Sequence, residues 1–194
     1  MIGIVILGAG ASRRMGAPKL LLPLRGKPVL QHVIDAATQV QPEELVVVVG
    51  REAAAHRATI SAPSGALIVE NPEFAAGQAG SLRAGIAALK HVDVAIVLLG
   101  DQPEMRASAV QRIAEAAETS PAPIVRARYS DGFGHPIALR REIWPQVMEL
   151  RGDQGARTLM SAENIAEVTI EGRSPADLDT RAAYEQALAR PAPE

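Results

Sequence analysis

Continuous apolar runs alternate with amphipathic stretches along nearly the whole chain. Runs typical of buried strands lie at residues 2–7, 45–49, 66–69 and 94–99, and further strands are predicted at 123–129, 137–139 and 165–170. Helical spacing of apolar residues predicts helices over about 28–40, 51–61, 78–91, 105–118, 141–150 and 155–161, and after Asp179. Strands that alternate with helices require crossover connections. We therefore predict a three-layer, Rossmann-like α/β fold with a mainly parallel sheet flanked by helices.

The length of the chain limits its domain organisation. It has 194 residues, without an internal repeat or a low-complexity linker. We expect one domain over residues 1–190, followed by a frayed tail at residues 191–194.

Composition excludes several classes of function. Aromatic residues make up 3% of the chain and the net charge is −2, so neither a base-stacking platform nor an electrostatic surface for nucleic acid or anionic membranes is expected. The absence of cysteine excludes disulfides, thiolate metal sites and cysteine nucleophiles. No apolar run approaches ~18 residues and no signal peptide is evident, so we expect a cytoplasmic protein.

The loop after the first strand carries the clearest candidate chemistry. Between Gly8 and Lys19 it contains three glycines and three cationic side chains. Glycine lets backbone N–H groups approach a ligand closely, and Arg and Lys neutralise phosphate charge. The loop also follows a buried strand, where parallel α/β folds bind ligands. It therefore predicts a nucleotide triphosphate site, the alternative being a glycine-rich turn with solvated charges.

Two better-known glycine loops do not fit this segment. A dinucleotide-binding loop needs a third glycine where Arg13 stands, and an acid after the second strand, where Gly50 and Arg51 follow instead. A Walker loop needs Gly-Lys followed by Ser or Thr, whereas Gly26-Lys27 is followed by Pro28.

The same residues carry a family resemblance. Leu7-Gly8-Ala9-Gly10, Ser12, Arg14-Met15-Gly16 and Lys19, followed by Leu20-Leu21-Leu22-Pro23 and Gly26-Lys27-Pro28, resemble the signature of nucleotidyltransferases with a GT-A-like, nucleotide-diphospho-sugar transferase-like fold. Within that superfamily the chain resembles the molybdenum cofactor cytidylyltransferases most closely, although their motif usually has Ala where Gly8 stands. The resemblance implies that the loop, with Leu7, Gly8, Ala9, Gly10, Ser12 and Arg14, holds the triphosphate, and that Lys19 contacts the phosphates around the reacting centre.

Two acidic residues are candidate metal ligands. Asp101, in Gly100-Asp101-Gln102-Pro103, follows the strongest apolar run, and Pro103 can begin the next helix. The resemblance implies that Asp101 binds magnesium or manganese, with Asp179 of Asp177-Leu178-Asp179-Thr180 as the second ligand. Magnesium prefers one or two carboxylates together with phosphate and water oxygens. The alternatives are that Asp101 caps the next helix and that Asp179 or Thr180 caps the last one.

A third motif precedes the helix at 78–91. It contains Asn71, Gly77, Gln78 and Ser81, at a helix start where free backbone N–H groups can meet a phosphate or a base edge. The resemblance implies contacts from these residues to cytosine and ribose, while Ser81 could instead be the N-cap. Ala9 matches the cytidylyl rather than the guanylyl pattern, which favours CTP over GTP.

Two later motifs resemble the acceptor site of the same family. Gly134-His135-Pro136 implies a place near the pterin, and Gly152-Asp153-Gln154-Gly155-Ala156-Arg157 implies that Asp153 and Arg157 contact the acceptor. The expected activity is transfer of CMP from CTP to the terminal phosphate of molybdopterin cofactor, with Arg14, Lys19 and Asp101 as catalytic residues. A molybdenum hydroxylase is the expected recipient of the product. The alternatives are a GTP-using or sugar/alditol-phosphate nucleotidyltransferase, and a non-catalytic chaperone of the cofactor.

Overall fold

The computed structural model describes residues 1–10, 17–50, 53–161 and 163–190. In these parts of the chain the strands are β1 (Ile2–Gly8), β2 (Pro23–Leu24), β3 (Lys27–Pro28), β4 (Glu44–Val49), β5 (Leu67–Glu70), β6 (Val94–Leu99), β7 (Ile124–Tyr129), β8 (Gly132–Arg140) and β9 (Ile165–Thr169). The α-helices are α1 (Val29–Gln39), α2 (Ala53–Thr59), α3 (Gln78–Ala88), α4 (Ala107–Thr119), α5 (Trp144–Glu149) and α6 (Arg181–Ala189). Short 3-10 helices occur at Lys19–Leu21, Phe74–Ala76, Arg141–Ile143 and Ala156–Leu159. The predicted tail at 191–194 lies outside the described residues.

A seven-stranded sheet in the order β5-β4-β1-β6-β8-β7-β9 organises the fold. β1 pairs in parallel with both β4 and β6, and β4 pairs in parallel with β5. β8 is antiparallel to both of its neighbours, and β9 is again parallel to β7. The prediction of a mainly parallel sheet is confirmed, with β8 as the reversed strand.

Helices cover both faces of the sheet because its central strands are apolar on both faces. In β1, Ile4 and Ile6 pack into a cluster with Leu30 of α1, whereas Val5 packs into a second cluster with Leu82 of α3. Side chains along a strand point to alternate faces, so consecutive residues of β1 serve opposite layers. Each fully buried side chain of this size contributes roughly 1.5–3 kcal/mol to stability. The three-layer α/β prediction is confirmed.

Several predicted boundaries are wrong for identifiable reasons. The helix expected over 105–118 begins at Ala107, so Pro103 is not its first residue. The chain turns after Asp101 instead, because the Met105 N–H bonds to the Gln102 carbonyl. The predicted helix at 155–161 is the 3-10 helix Ala156–Leu159, which ends where the Asn164 side chain donates to the Leu159 carbonyl.

Two elements of extended structure differ from the expectation. β8 covers Gly132–Arg140 rather than only 137–139, because its first half forms a hairpin with β7. The two-residue strands β2 and β3 form a separate small hairpin that was not predicted, since strands this short carry no periodicity. Across the described ranges, no helix has both the length and the apolar character needed to cross a lipid bilayer.

Candidate active site

The carboxyl ends of the parallel strands β1 and β6 open into a cavity of about 610 Å³. Three segments line this cavity: residues 7–10 at the end of β1, Asp101 just after β6, and the first turn of α3. Its described wall consists of Leu7, Ala9, Gly10, Lys19, Phe74, Ala75, Gly77, Gln78, Ser81, Leu99, Asp101, Asp153, Asp177 and Asp179. The cavity therefore lies at the edge where open parallel sheets bind ligands.

Lys19 is held between two acidic residues that are distant in sequence. Its Nζ donates to Asp101 Oδ2 at 2.5 Å and to Asp179 Oδ1 at 2.8 Å. The Lys19 side chain is 8% exposed. Burial alone would lower the pKa of Lys19, but the charges of Asp101 and Asp179 and the hydrogen bonds to them raise it above its usual value. Lys19 is therefore a permanent cation in the cavity wall.

Asp101 and Asp179, the predicted metal ligands, lie close together in the first cavity. One oxygen of each lies within hydrogen-bond distance of the same ammonium, so both carboxylates converge on a single cation. Hard oxygen ligands of this kind suit Mg²⁺ or Mn²⁺. Among the described residues, no group of three or more His, Cys, Asp or Glu side chains is placed to bind a metal. Further ligands would thus come from phosphate and water oxygens.

The turn and the cap around these acids explain their placement. The Asp101 carbonyl accepts from the Leu178 N–H at 3.0 Å, which brings the segment before α6 to the end of β6. Thr180, rather than Asp179, caps α6, because its side chain accepts from the Ala183 N–H. α4 has Arg106 at its N-cap, so Asp101 does not cap it. Neither carboxylate is thus used as the cap of α4 or α6; both accept from Lys19 instead.

Asp177 is a third acid of this site, and the sequence interpretation missed its role. Its Oδ1 accepts from Gln102 Nε2 at 2.8 Å. Partial burial, together with the negative charges of Asp101 and Asp179, raises the pKa of Asp177. Asp177 lies in the predicted motif, but no local signal there indicates its contact with Gln102, which is 75 residues away in sequence.

The start of α3 lies unusually close to the backbone of the loop that contains Gly152. Gly77 precedes the helix with φ +115°, and a Cβ there would lie 2.2 Å from the Gly152 carbonyl carbon. The Ala79 N–H donates to the Gly152 carbonyl at 3.0 Å, which ties the two loops together. Ser81 lies inside α3 and is not its N-cap. The Ser81 hydroxyl accepts instead from Asn71 Nδ2 at 3.0 Å, so Asn71 fixes the orientation of the Ser81 side chain.

A second cavity of about 470 Å³ adjoins the first. The two share Leu7, Gln78, Leu99, Asp153 and Asp177. The second is also lined by His135 and Arg157, the predicted acceptor residues, and by residues not predicted, among them Gln102, Phe133, Thr158, Ser174 and Pro175. The two cavities are therefore neighbours that share part of their lining.

His135 and Arg157 are contributed by different local structures. His135 is buried within β8, and burial, with a smaller effect of the Arg157 charge, lowers the pKa of His135 to about 4. Arg157 lies in the 3-10 helix Ala156–Leu159 and donates to the Phe133 carbonyl at 3.3 Å. The cavity thus has a neutral imidazole and an exposed guanidinium at physiological pH.

The structure brings most of the predicted site residues to these two cavities. Gly8 and Asn71 lie outside the wall that the described residues form around the first cavity, and Pro136 lies outside that of the second. A Cβ at Gly8 would lie 3.1 Å from Leu20 Cδ1 and from the Val48 carbonyl oxygen, so Gly8 allows close packing behind the first cavity. The predicted Ser12 and Arg14 lie outside the described residues.

Comparison with known proteins places this geometry in a family. The model of the MobA-like NTP transferase domain matches residues 4–168. The chain belongs to the MobA-like NTP transferase family. It is a nucleotidyltransferase of the nucleotide-diphospho-sugar transferase superfamily.

Solved structures and curated proteins similar to this MobA-like NTP transferase agree with that assignment. Rv0371c from Mycobacterium tuberculosis H37Rv is 33% identical with a TM-score of 0.87, and the match covers 97% of this chain and 98% of that one. The manganese complex of Rv0371c is 32% identical with a TM-score of 0.82 over the same shares. The bifunctional protein GlmU of Burkholderia orbicola is 39% identical over 141 residues, which are 72% of this chain and 31% of that protein. The chain thus spans about a third of the length of the curated relatives that it matches.

Proposed function

We propose that this nucleotidyltransferase transfers CMP from CTP to the terminal phosphate of molybdopterin cofactor. A phosphate oxygen of the acceptor forms a bond to the α-phosphorus of CTP, the bond to the β-phosphate bridging oxygen breaks, and pyrophosphate leaves. The acceptor phosphate is already an anionic nucleophile, so no strong general base is required. Catalysis then consists of alignment and charge neutralisation.

The observation that carries the proposal is the pair of joined cavities. In-line displacement at phosphorus requires the nucleophile and the leaving group to lie on opposite sides of the reacting atom. The first cavity contains the cation and the two acids suited to a triphosphate, and the second contains Arg157 beside neutral His135. Their shared wall is the natural meeting point of two substrates.

Lys19, Asp101 and Asp179 have different roles in the first cavity. Asp101 and Asp179 hold Mg²⁺ or Mn²⁺, which supplies charge neutralisation to the triphosphate. Support for a divalent cation comes from the convergence of both carboxylates on one ammonium and from the manganese complex of the similar Rv0371c. Lys19 lines the same cavity and would offer its ammonium to the phosphate oxygens. We assign Arg14 to the triphosphate from the motif alone.

The preference for cytosine rests on the start of α3. Gln78 lines both cavities and offers an amide donor and acceptor, and the Ser81 hydroxyl can still donate while it accepts from Asn71. A cytosine edge presents one amino donor and two acceptors, which such groups can match. Ala9 in the floor of the cavity agrees with the cytidylyl form of the loop.

In the second cavity, Arg157 is assigned to the acceptor phosphate and His135 to the pterin. Arg binds phosphate with two parallel hydrogen bonds, and a neutral imidazole can both donate and accept. Asp153 lines both cavities and is suited to the amino groups of a pterin. A molybdenum hydroxylase remains the proposed recipient of the product.

Pyrophosphate release tests the assignment of both substrates. The purified protein would be supplied with CTP, GTP, ATP or UTP and Mg²⁺ or Mn²⁺, with and without molybdopterin cofactor. We expect release only with CTP and the cofactor together, and loss of release in Lys19→Ala. Lys27→Ala is the matched control, because Lys27 forms an exposed ion pair with Asp35. Turnover with another triphosphate, or with a sugar phosphate in place of the cofactor, would contradict the proposal.

A chaperone function without catalysis is less consistent with the site. Binding and delivery of a cofactor do not require a buried lysine between two convergent carboxylates. The chaperone hypothesis predicts tight cofactor binding and no pyrophosphate release under any of these conditions.

A further inference from the structure

The three segments that supply Lys19, Asp101 and Asp179 meet a second time, away from the cavity. The meeting point is Arg25, in the turn between β2 and β3, six residues after Lys19. Arg25 approaches Glu104, which follows Asp101 in the same turn, and the end of α6, whose start follows Asp179. Each of the three site residues is thus linked to a contact of Arg25 through a short piece of chain.

Arg25 caps the C-terminal end of α6 with its side chain, and we call this set of contacts the clasp. Its Nε donates to the Arg190 carbonyl at 3.0 Å and its Nη2 to the Ala187 carbonyl at 2.8 Å. The same Nη2 lies 3.5 Å from Glu104 Oε1, and the Arg25 side chain is 15% exposed. The last carbonyls of a helix lack the regular bonds of its interior, and the Ala187 carbonyl otherwise accepts only a long bond of 3.4 Å from the Arg190 N–H. One guanidinium therefore adds a donor to two of these carbonyls and also approaches an acid.

A further contact extends the clasp along α6. The hydroxyl of Tyr184, in the middle of the helix, donates to the Pro23 carbonyl of β2. The hairpin therefore holds α6 at its middle and at its end, while Asp179 before its start holds Lys19. A helix of nine residues is about 13 Å long, so Arg25 acts from the opposite end of α6 to the metal ligands.

We propose that Arg25 is a positioning residue that sets the spacing of Lys19, Asp101 and Asp179. The inference rests on the proposed role of these three side chains in holding the metal and the triphosphate. Arg25 lines neither of the two cavities described above. It acts by fixing the hairpin, the turn that carries Glu104 and α6 as one unit, so that their site residues converge.

Arg140 provides a matched control within the same chain. It donates to the Ala117 and Ser120 carbonyls at the end of α4, the same two positions that Arg25 binds at the end of α6. Arg140 also has a partly buried guanidinium, but it contacts neither the hairpin nor α6 in the described structure. A general loss of stability from removing a helix clasp should therefore be similar in both variants.

The test compares Arg25→Met with Arg140→Met in the full chain. Binding of Mn²⁺ alone is titrated by electron paramagnetic resonance, steady-state kinetics give kcat and KM, and urea unfolding reports stability. We expect similar falls in the urea midpoint, but a loss of Mn²⁺ affinity and of kcat of about tenfold only in Arg25→Met. Arg25→Lys, which can reach one carbonyl but not both, is expected to give an intermediate affinity and serves if Arg25→Met does not fold.

Two outcomes would overturn the inference. Wild-type Mn²⁺ affinity in the Arg25 variants would show that the clasp only stabilises the fold, and an equal loss in Arg140→Met would show that it is not specific. Asp101→Asn separates these results from a failure of the proposed function. If Asp101→Asn leaves Mn²⁺ binding unchanged, the assigned metal site itself is wrong, whereas loss in Asp101→Asn with retention in Arg25→Met overturns only the positioning role.

Discussion

The two halves of the sheet build their sites by different means. In the parallel half, β5-β4-β1-β6, the chemical residues follow the strand ends directly, as residues 7–10 do after β1 and Asp101 after β6. In the other half, β8-β7-β9, His135 lies within a strand, while Asp153 and Arg157 come from a loop and a 3-10 helix. Topology thus positions the strand-end residues of the first cavity, whereas contacts between distant segments position Lys19, Asp179 and the second cavity.

This difference has a functional reading. Parallel strands place their carboxyl ends at one edge whatever the loops contain, so a triphosphate site is preserved as long as the sheet is. A loop-built wall depends on individual contacts, such as the Arg157 guanidinium on the Phe133 carbonyl. We expect substitutions in the first half to abolish the reaction and those in the second to alter which acceptor is used.

The largest effect is expected in the parallel half. Asp101→Asn removes one of the two carboxylates that converge on Lys19, and with it the charge that would hold a divalent cation. We expect kcat/KM for pyrophosphate release to fall about 1,000-fold, with circular dichroism unchanged. Asp35→Asn, which changes contacts with Lys27 and Gln31 outside both cavities, should retain activity. A fall of less than tenfold in Asp101→Asn would contradict the assignment of a metal site to the first cavity.

The second largest effect on activity is expected where the loop before α3 contacts the loop that contains Gly152. Gly77→Ala would force a Cβ to within 2.2 Å of the Gly152 carbonyl carbon and impose φ +115° on alanine. We expect a loss of about 3–4 kcal/mol in the free energy of unfolding and a fall in kcat of about 100-fold. Gly65→Ala is the control, because Gly65 has φ +90° with nothing within 4 Å of its Cβ position. Equal losses of stability and activity in both variants would show that backbone strain causes them, rather than the loss of the close contact between Gly77 and Gly152.

A pH-dependent loss of stability is expected from the second half. The pKa of buried His135 is lowered to about 4, whereas an unfolded histidine titrates near 6.5. Between these values the unfolded chain binds more protons, so stability is full above pH 6.5 and falls as the pH drops towards 4, by up to about 3 kcal/mol. Urea unfolding across this range would measure the slope. In His135→Asn the part of the slope due to His135 should disappear, and an unchanged slope would show that other groups cause it.

The smallest effect is expected at the outer wall of the second cavity. Arg157→Gln removes a guanidinium assigned to the acceptor phosphate, so the KM for the acceptor should rise about tenfold while the KM for CTP stays constant. Arg151→Gln, on the same loop but bonded to the Met148 and Leu150 carbonyls, should change neither. A rise in the KM for CTP instead would place Arg157 in the nucleotide site.

The sequence predicted the parallel half well because its signals are local. The apolar runs at 2–7, 45–49 and 94–99 are continuous and become β1, β4 and β6 almost residue for residue. The ends of these strands then locate Leu7, Ala9, Gly10 and Asp101 without further information. The turn after Asp101 was misjudged, because its bond from the Met105 N–H to the Gln102 carbonyl replaces the helix start expected at Pro103.

The remainder depended on contacts between distant residues that no local pattern records. The alternative that Ser81 is an N-cap is wrong, because Ser81 lies inside α3 and its hydroxyl accepts from Asn71. Asp177 carried no signal of its own until the fold placed it beside Asp101 and between two cavities. The short 3-10 helix with Arg157 ends through the side chain of Asn164, which helical periodicity cannot detect.

The common wall of the two cavities constrains how such a protein can evolve. A change at Gln78, Asp153 or Asp177 alters the surroundings of both substrates at once, so gain of a new acceptor there would also disturb the nucleotide. Phe133, Thr158 and Ser174 line the second cavity alone. We therefore expect relatives that accept other molecules to differ first at these three positions, while the partition between the cavities remains under purifying selection.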